Sequence, residues 1–231
     1  MINSEFVDVS RRLRAALTPA DLDQTLARIT AAAVEVLPEV EYASITIRHA
    51  DGRLETSAPT DDLVLGLDAA QYEFREGPCY EAASETVHVA SPDLASDTRW
   101  PRYAPVALAA GVQAQAGIRL FDATGSNGAL NLYSRHRGSF EALDGLGQLF
   151  THHAATAIEY AREITHLQQA VQTRQVIGQA VGIVMHQYGL DDARAFAFLT
   201  RLSSHNNTKL RSVADQVIAA TNDEANRPSD T

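Results

Sequence analysis

The sequence contains a single cysteine, Cys79, in 231 residues. An intramolecular disulfide is therefore excluded, which accords with a reducing compartment. Long apolar runs are also missing: no stretch approaches the roughly 20 residues needed to cross a bilayer. The opening MINSEFVDVSRRLR lacks the apolar core of a signal peptide, so a cytoplasmic chain with no membrane partner is expected. Catalytic motifs are scarce too. There is no HExxH, phosphate loop, nucleophile elbow or Cys/His ligand spacing, and no receiver-like phosphoacceptor pattern. His152 and His153 are adjacent, and neighbouring helical residues point about 100° apart, which does not suit one metal ion. Glu76, Glu81 and Glu85 read as a solvated helix face. No enzyme, cofactor or metal is expected.

What is present has globular proportions, 45% apolar and 21% charged, and a length that suits two small domains. The net charge of -10 argues against nucleic-acid binding only until it is divided by region. Residues 1–164 carry 13 arginines against 23 acidic residues. Residues 165–222 carry five basic residues, Arg174, Arg194, Arg201, Lys209 and Arg211, against three acidic ones, Asp191, Asp192 and Asp215. The acidity lies outside the C-terminal part.

Helical spacing of apolar residues from Ser4 to Leu37, broken at Thr18-Pro19, predicts two helices, the second with a Thr-Pro start. Tyr42–Arg48 alternates, and Asp51-Gly52 marks a hairpin. A helix near Asp61–Phe74 and a short one carrying Cys79 follow, then a strand at Thr86–Ala90, a helix over Trp100–Ala110, and a last hairpin from Val112–Phe121 and Gly128–Ser134. That order predicts an α+β domain with an antiparallel sheet flanked by helices. From Phe140 the pattern is helical. Ala157, Tyr160, Ile164, Leu167 and Val171 recur at three- and four-residue steps, which reads as a short coiled-coil seam that joins two copies of the chain. Packing against the domain's own sheet is the other reading of that stripe. Three helices then follow, over about His166–Gln187, Leu190–Ser203 and Lys209–Ala220. The expected division is 1–164 for the α+β domain, 165–222 for the all-α module and 223–231 for a disordered tail.

Motifs now narrow the reading. The stretch VIGQAVGIVMHQYGLDDARAFAFLTRLSSHNNTKLRSVADQVI resembles the ANTAR family through Gln179-Ala180, Gly182, Met185, Gly189, Ala193, Ala195-Phe196, Leu199, Arg201, Ser203, Asn207, Lys209-Leu210 and Val213-Ala214. The resemblance implies a three-helix module that binds RNA with paired stem-loops and prevents transcription termination. Family members often carry basic residues at the places of Val181 and Thr200, so phosphate contacts are expected to be lost there. GPCYEAA, DTRWPRYAPVA, Gly111-Val112 and GALNLYS resemble the GAF family from about Leu22 to Ile164. That resemblance implies a sensor fold and leaves open a small-molecule ligand. The whole looks like the GAF-ANTAR regulators of high-GC bacteria, and 18 arginines against one lysine fit such a genome.

Unstacked bases and phosphates are met by cationic, amide and hydroxyl side chains. Arg201, Ser203, Asn207, Lys209 and Arg211 cluster about one helix junction, and the local alternative is capping and a solvated charged face. Gln179 and His186, two turns apart, share a face with each other, and form either part of that surface or an interhelix hydrogen bond. Cys79 follows Gly77-Pro78 at a helix start, where the dipole lowers a thiol pKa and makes redox sensing conceivable. A buried, inert thiol is the alternative. Two further functions compete with RNA-binding antitermination: a protein-interaction module without RNA binding, and ligand-controlled dimerisation alone.

Overall fold

The computed structural model describes residues 21–84, 87–123, 126–141 and 145–225. They form two compact units whose boundary falls within one helix, between Glu163 and Ile164. The helix expected before Thr18 lies outside the described residues.

The first unit opens with α1 (Leu22–Val36). Asp21 caps it by accepting the Gln24 N–H at 2.8 Å, so the start is an aspartate cap rather than the expected Thr-Pro entry. The sheet contains β1 (Tyr42–His49), β2 (Leu54–Ser57), β3 (His88–Ser91), β4 (Ala114–Ala123) and β5 (Ser126–Ser134), ordered β2-β1-β5-β4-β3. Every pairing is antiparallel. The β1–β2 connection turns at Gly52, whose φ of +84° is the left-handed value the Asp-Gly pair suits. Between β2 and β3 lie α2 (Asp62–Phe74) and α3 (Pro78–Ser84), and α4 (Tyr103–Ala109) precedes β4. The strand expected at Thr86–Ala90 starts at His88, and the helix expected from Trp100 starts at Tyr103.

Side chains alternate across a strand, and here the two faces differ in chemistry. Ala43, Ile45, Ala116, Ile118, Leu130 and Leu132 share an apolar core with Leu26, Ile29 and Ala33 of α1 and with Phe150, Ala154 and Ile158. The last three belong to α5 (Gly145–Tyr188). Ser44, Thr46, Gln115, Asn131 and Tyr133 occupy the other face and are buried as well. There α3 rests directly on β4: a Cβ on Gly117 would lie 2.4 Å from the Pro78 carbonyl oxygen.

The second unit consists of the C-terminal part of α5 with α6 (Asp192–His205) and α7 (Leu210–Ala225). Its core is small-residue rich: Ala180, Val181, Val184, Ala195, Leu199, Val213 and Ala214. Gly189, at φ +63°, ends α5, and Asp191 caps α6 by accepting the Arg194 N–H at 2.8 Å. Helix α7 runs to Ala225, so Asp223–Ala225 are helical rather than part of the expected tail; the rest of that tail lies outside the described residues. No helix of the described residues is long and apolar enough to cross a membrane.

The contact beneath Gly117 is with backbone, which cannot move aside cheaply. Gly117→Ala is expected to lower stability by about 1–3 kcal/mol, read from urea denaturation midpoints; an unchanged midpoint would mean that α3 lifts off β4 without cost.

Candidate functional site

Among the described cations of the second unit, Arg174 lies on α5 and Arg194 in the first turn of α6, whereas Arg201, Lys209 and Arg211 flank the α6–α7 turn. Asn207 adopts φ +49° there, a conformation asparagine tolerates better than most residues, and so ends α6. Ser203 donates to the Thr208 carbonyl at 2.6 Å, bracing the same turn. These two residues thus have structural duties, while Arg201 and Lys209 extend from the turn into solvent. Arg201 makes one contact, a 3.4 Å bond to the Ala197 carbonyl. Arg211 reaches the Thr173 hydroxyl at 3.4 Å and lies 4.0 Å from Asp215. Arg201, Asn207, Lys209 and Arg211 therefore stand at one end of the unit.

Gln179 and His186 do not join them. They line a groove of about 650 Å³ between α5 and α7, floored by Ile183 and Ile218. Val181 corrects an expectation: it is 6% exposed within the three-helix core, so its position offers no phosphate contact to lose. Thr200 is exposed and bonds its own helix at Phe196. Sequence reading overlooked the exposed aromatics Tyr188, Phe196 and Phe198. Tyr188 and Phe198 hold their rings 5.6 Å apart. Phe198 stands three residues after Ala195 and four before Leu202, at the margin of that apolar face, so periodicity gave no signal of its exposure.

The stripe along α5 changes character partway. Ala157 is buried in the sheet core, so it is removed from the expected seam. Tyr160, Leu167 and Val171 are 67%, 58% and 65% exposed, and Ile164 is half-buried.

In the first unit the buried polar face centres on Asp68. Its carboxylate accepts from Ser44 at 2.8 Å, Thr56 at 3.0 Å, the Cys79 thiol at 3.3 Å and the Tyr133 hydroxyl. Burial pushes the Asp68 pKa up against those bonds. Cys79 is fully buried, and burial, with the Asp68 charge beside it, pushes its thiol well above the usual range. Of the two readings of Cys79, this burial favours the inert thiol over a lowered, redox-ready pKa: desolvation outweighs any dipole of a seven-residue helix. The expected solvated row of glutamates is corrected too. Glu81 accepts the Trp100 indole N–H at 2.6 Å, and Glu76 accepts the backbone N–H groups of Arg102 and Tyr103, capping α4; Glu85 lies outside the described residues. Among the described residues no group of three or more His, Cys, Asp or Glu is placed to hold a metal.

The architecture is thus a five-stranded antiparallel sheet with helices on both faces, followed by a three-helix unit with a cationic turn. The GAF-domain model matches residues 19–159 and the ANTAR-domain model matches residues 165–218. The chain belongs to the GAF family and carries an ANTAR domain after its GAF domain. These are sensor and regulatory domains, not catalytic ones, and together they make the chain a signal-responsive regulator. No curated protein matches it. Among solved structures, it resembles a bacteriophytochrome from the photosynthetic bacterium R. palustris at 13% identity and TM-score 0.56, covering 85% of this chain and 46% of that one. It also resembles SdiA in complex with octanoyl-rac-glycerol at 12% identity and TM-score 0.52, covering 95% and 96%. The GAF domain of an Acinetobacter phosphoenolpyruvate-protein phosphotransferase matches at 12% identity and TM-score 0.50, covering 72% and 99%. At these identities the likeness is one of fold.

A raised carboxyl pKa has a defined sign. Asp68 favours the fold fully below the unfolded value of 3.8, and that contribution is lost as pH rises through its higher folded value. Asp68→Asn, neutral at every pH, is expected to flatten the decline in urea midpoint as pH rises above the unfolded value of 3.8; equal pH slopes in variant and wild type would exclude Asp68 as the source.

Proposed function

We propose that the chain is an RNA-binding regulator that promotes transcription antitermination by holding paired stem-loops, with a signal received by the GAF domain setting its activity. The ANTAR match over residues 165–218 carries this reading, and the free-standing Arg201 and Lys209 at the α6–α7 turn support it. Asn207 and Arg211, the latter 4.0 Å from Asp215, flank them as further donors. The exposed Tyr188–Phe198 pair gives flat apolar faces on which unstacked bases stack. Gln179 and His186, in the α5–α7 groove, form a second patch for the same RNA.

So few cations bind RNA weakly when alone, and salt weakens them further. Two modules held together gain through effective concentration. Homodimerisation through Tyr160, Ile164, Leu167 and Val171 supplies that pairing, because three of these apolar side chains face solvent at coiled-coil spacing. The signal then acts by changing how the two helices associate. Protein recruitment and dimerisation without RNA are the competing readings, and salt-dependent RNA affinity separates them from this one.

Binding to an RNA with two adjacent stem-loops is expected to weaken with salt. Arg201→Ala and Lys209→Ala should each reduce the log–log salt slope by about 1; slopes equal to wild type would remove both residues from the interface. Leu167→Asp should shift the sedimentation profile from dimer to monomer and lower affinity for the two-loop RNA more than for a single loop. A dimer that survives Leu167→Asp would exclude the α5 seam.

A further inference from the structure

A pocket of about 440 Å³ opens beside the β1–β2 turn of the first unit, lined by Arg48, Arg75, Tyr72, Tyr80, Ser84 and Asp51 among others. The backbone explains how each arrives. Arg48 follows Ser44 and Thr46 at period two along β1, so it continues the sheet's polar face toward the strand's end. Tyr72 sits in the last turn of α2, and Arg75 is its C-cap at φ +55°, a left-handed conformation uncommon for arginine. Tyr80 and Ser84 are four apart on α3 and share a face.

The other described arginines of this unit are engaged. Arg53 pairs with Glu55, Arg99 with Asp97, Arg102 with Glu76, Arg119 with Asp122 and Arg137 with Asp93. Arg135 and Arg162 lie over the rings of Tyr42 and Phe121, and Arg28 has a partner as well. Among the described residues of the unit, the guanidinium groups without hydrogen bond, ion pair or ring contact are those of Arg48 and Arg75, and both line the same pocket. This happens in a region where 23 acidic residues face 13 arginines, so opposite charges are plentiful and still leave these two unpaired. Two like charges in one concavity repel, and an anion between them relieves that repulsion.

We propose that this pocket binds a small anionic molecule, gripped by its phosphate or carboxylate group between the Arg48 and Arg75 guanidinium groups. Guanidinium groups suit both oxyanions because their paired N–H donors match two oxygens at once. The volume is in the range of metabolite-sized pockets, larger than a bare phosphate needs, so the anionic group is one end of the ligand. Tyr80 and Ser84 offer hydroxyl groups to the remainder. Asp51, whose carboxylate already accepts the Arg53 N–H at 3.0 Å, tolerates a hydroxyl or amino group nearby and disfavours a second anionic group on that side. Tyr72 connects the pocket inward, since its hydroxyl touches Thr46 at 2.8 Å and Thr56 at 2.9 Å, and Thr56 donates to Asp68.

Calorimetric titration of the full-length protein with inorganic phosphate, glycerol 3-phosphate and succinate, at constant ionic strength, tests this. Saturable binding of at least one probe is expected, weakened roughly tenfold or more by Arg48→Gln and by Arg75→Gly, and unchanged by Arg53→Gln. Glycine suits the left-handed φ at position 75, so loss of binding in that variant reports the missing guanidinium rather than a misfolded turn. Preference among the probes assigns the group as phosphate or carboxylate. No saturable binding of any probe, or equal binding in wild type, Arg48→Gln and Arg75→Gly, overturns the proposal. The titration uses no RNA, so either outcome leaves RNA binding by the second unit to stand or fall on its own measurement.

Discussion

The antiparallel pairing of β1 with β5 sends Ala43, Ile45, Leu130 and Leu132 to one face of the sheet and Ser44, Asn131 and Tyr133 to the other. An alternating strand usually has its polar side in water, yet here both sides are covered. Burial of hydroxyl and amide groups is costly unless they bond one another. A network offsets part of that cost: Asn131 donates to Ser44 and Thr46, and Ser44 donates to Asp68, while the Asn131 Oδ1 and Gln115 Nε2 have no partner. The position of α2 follows from it, because Asp68 must reach the sheet, and α3 follows because Gly117 lets its backbone approach. Arg48 is delivered to the rim by the same alternation that buries Thr46.

A different constraint governs the second unit. Its core is made of alanines and valines from three helices, and so small a core gives limited stability by itself. Asparagine at the one left-handed position of the α6–α7 turn and serine bonded across it fix the geometry that packing leaves loose. Cations placed at such a turn gain definite positions without joining the core. This explains how one short segment serves stability through Ser203 and Asn207 while leaving Arg201 and Lys209 free for a ligand.

Period-two and helical patterns made most elements legible, because both follow from the direction of Cβ along the chain. What periodicity does not carry is the identity of the neighbour. The seam residues were spaced alike, yet Ala157 meets the sheet core whereas Leu167 meets solvent. Val181 was read against the family as a missing cation, though its burial makes it core. Cys79 read either as activated at a helix start or as a buried thiol, and the fold favours the second: burial, with Asp68 from 11 residues away in sequence beside it, pushes the thiol up. Arg75 and Arg48 were invisible as a pair for the same reason: 27 positions separate them in the sequence, and only the fold puts them around one pocket.

Charge ties the parts together. An acidic first unit attracts few polyanions, so on the proposed RNA-binding reading the basic turn of the second unit is the favoured place for RNA to meet the chain. Repulsion of that kind is long-ranged and is screened within about 8 Å at physiological salt, whereas two guanidinium groups in a concavity act at contact distance. A small anion can therefore enter between Arg48 and Arg75 in a unit whose net charge repels a large one. On the two proposals together, size selects as well as charge: an acidic surface that disfavours a polyanion still leaves a contact-range site for a small anion between Arg48 and Arg75.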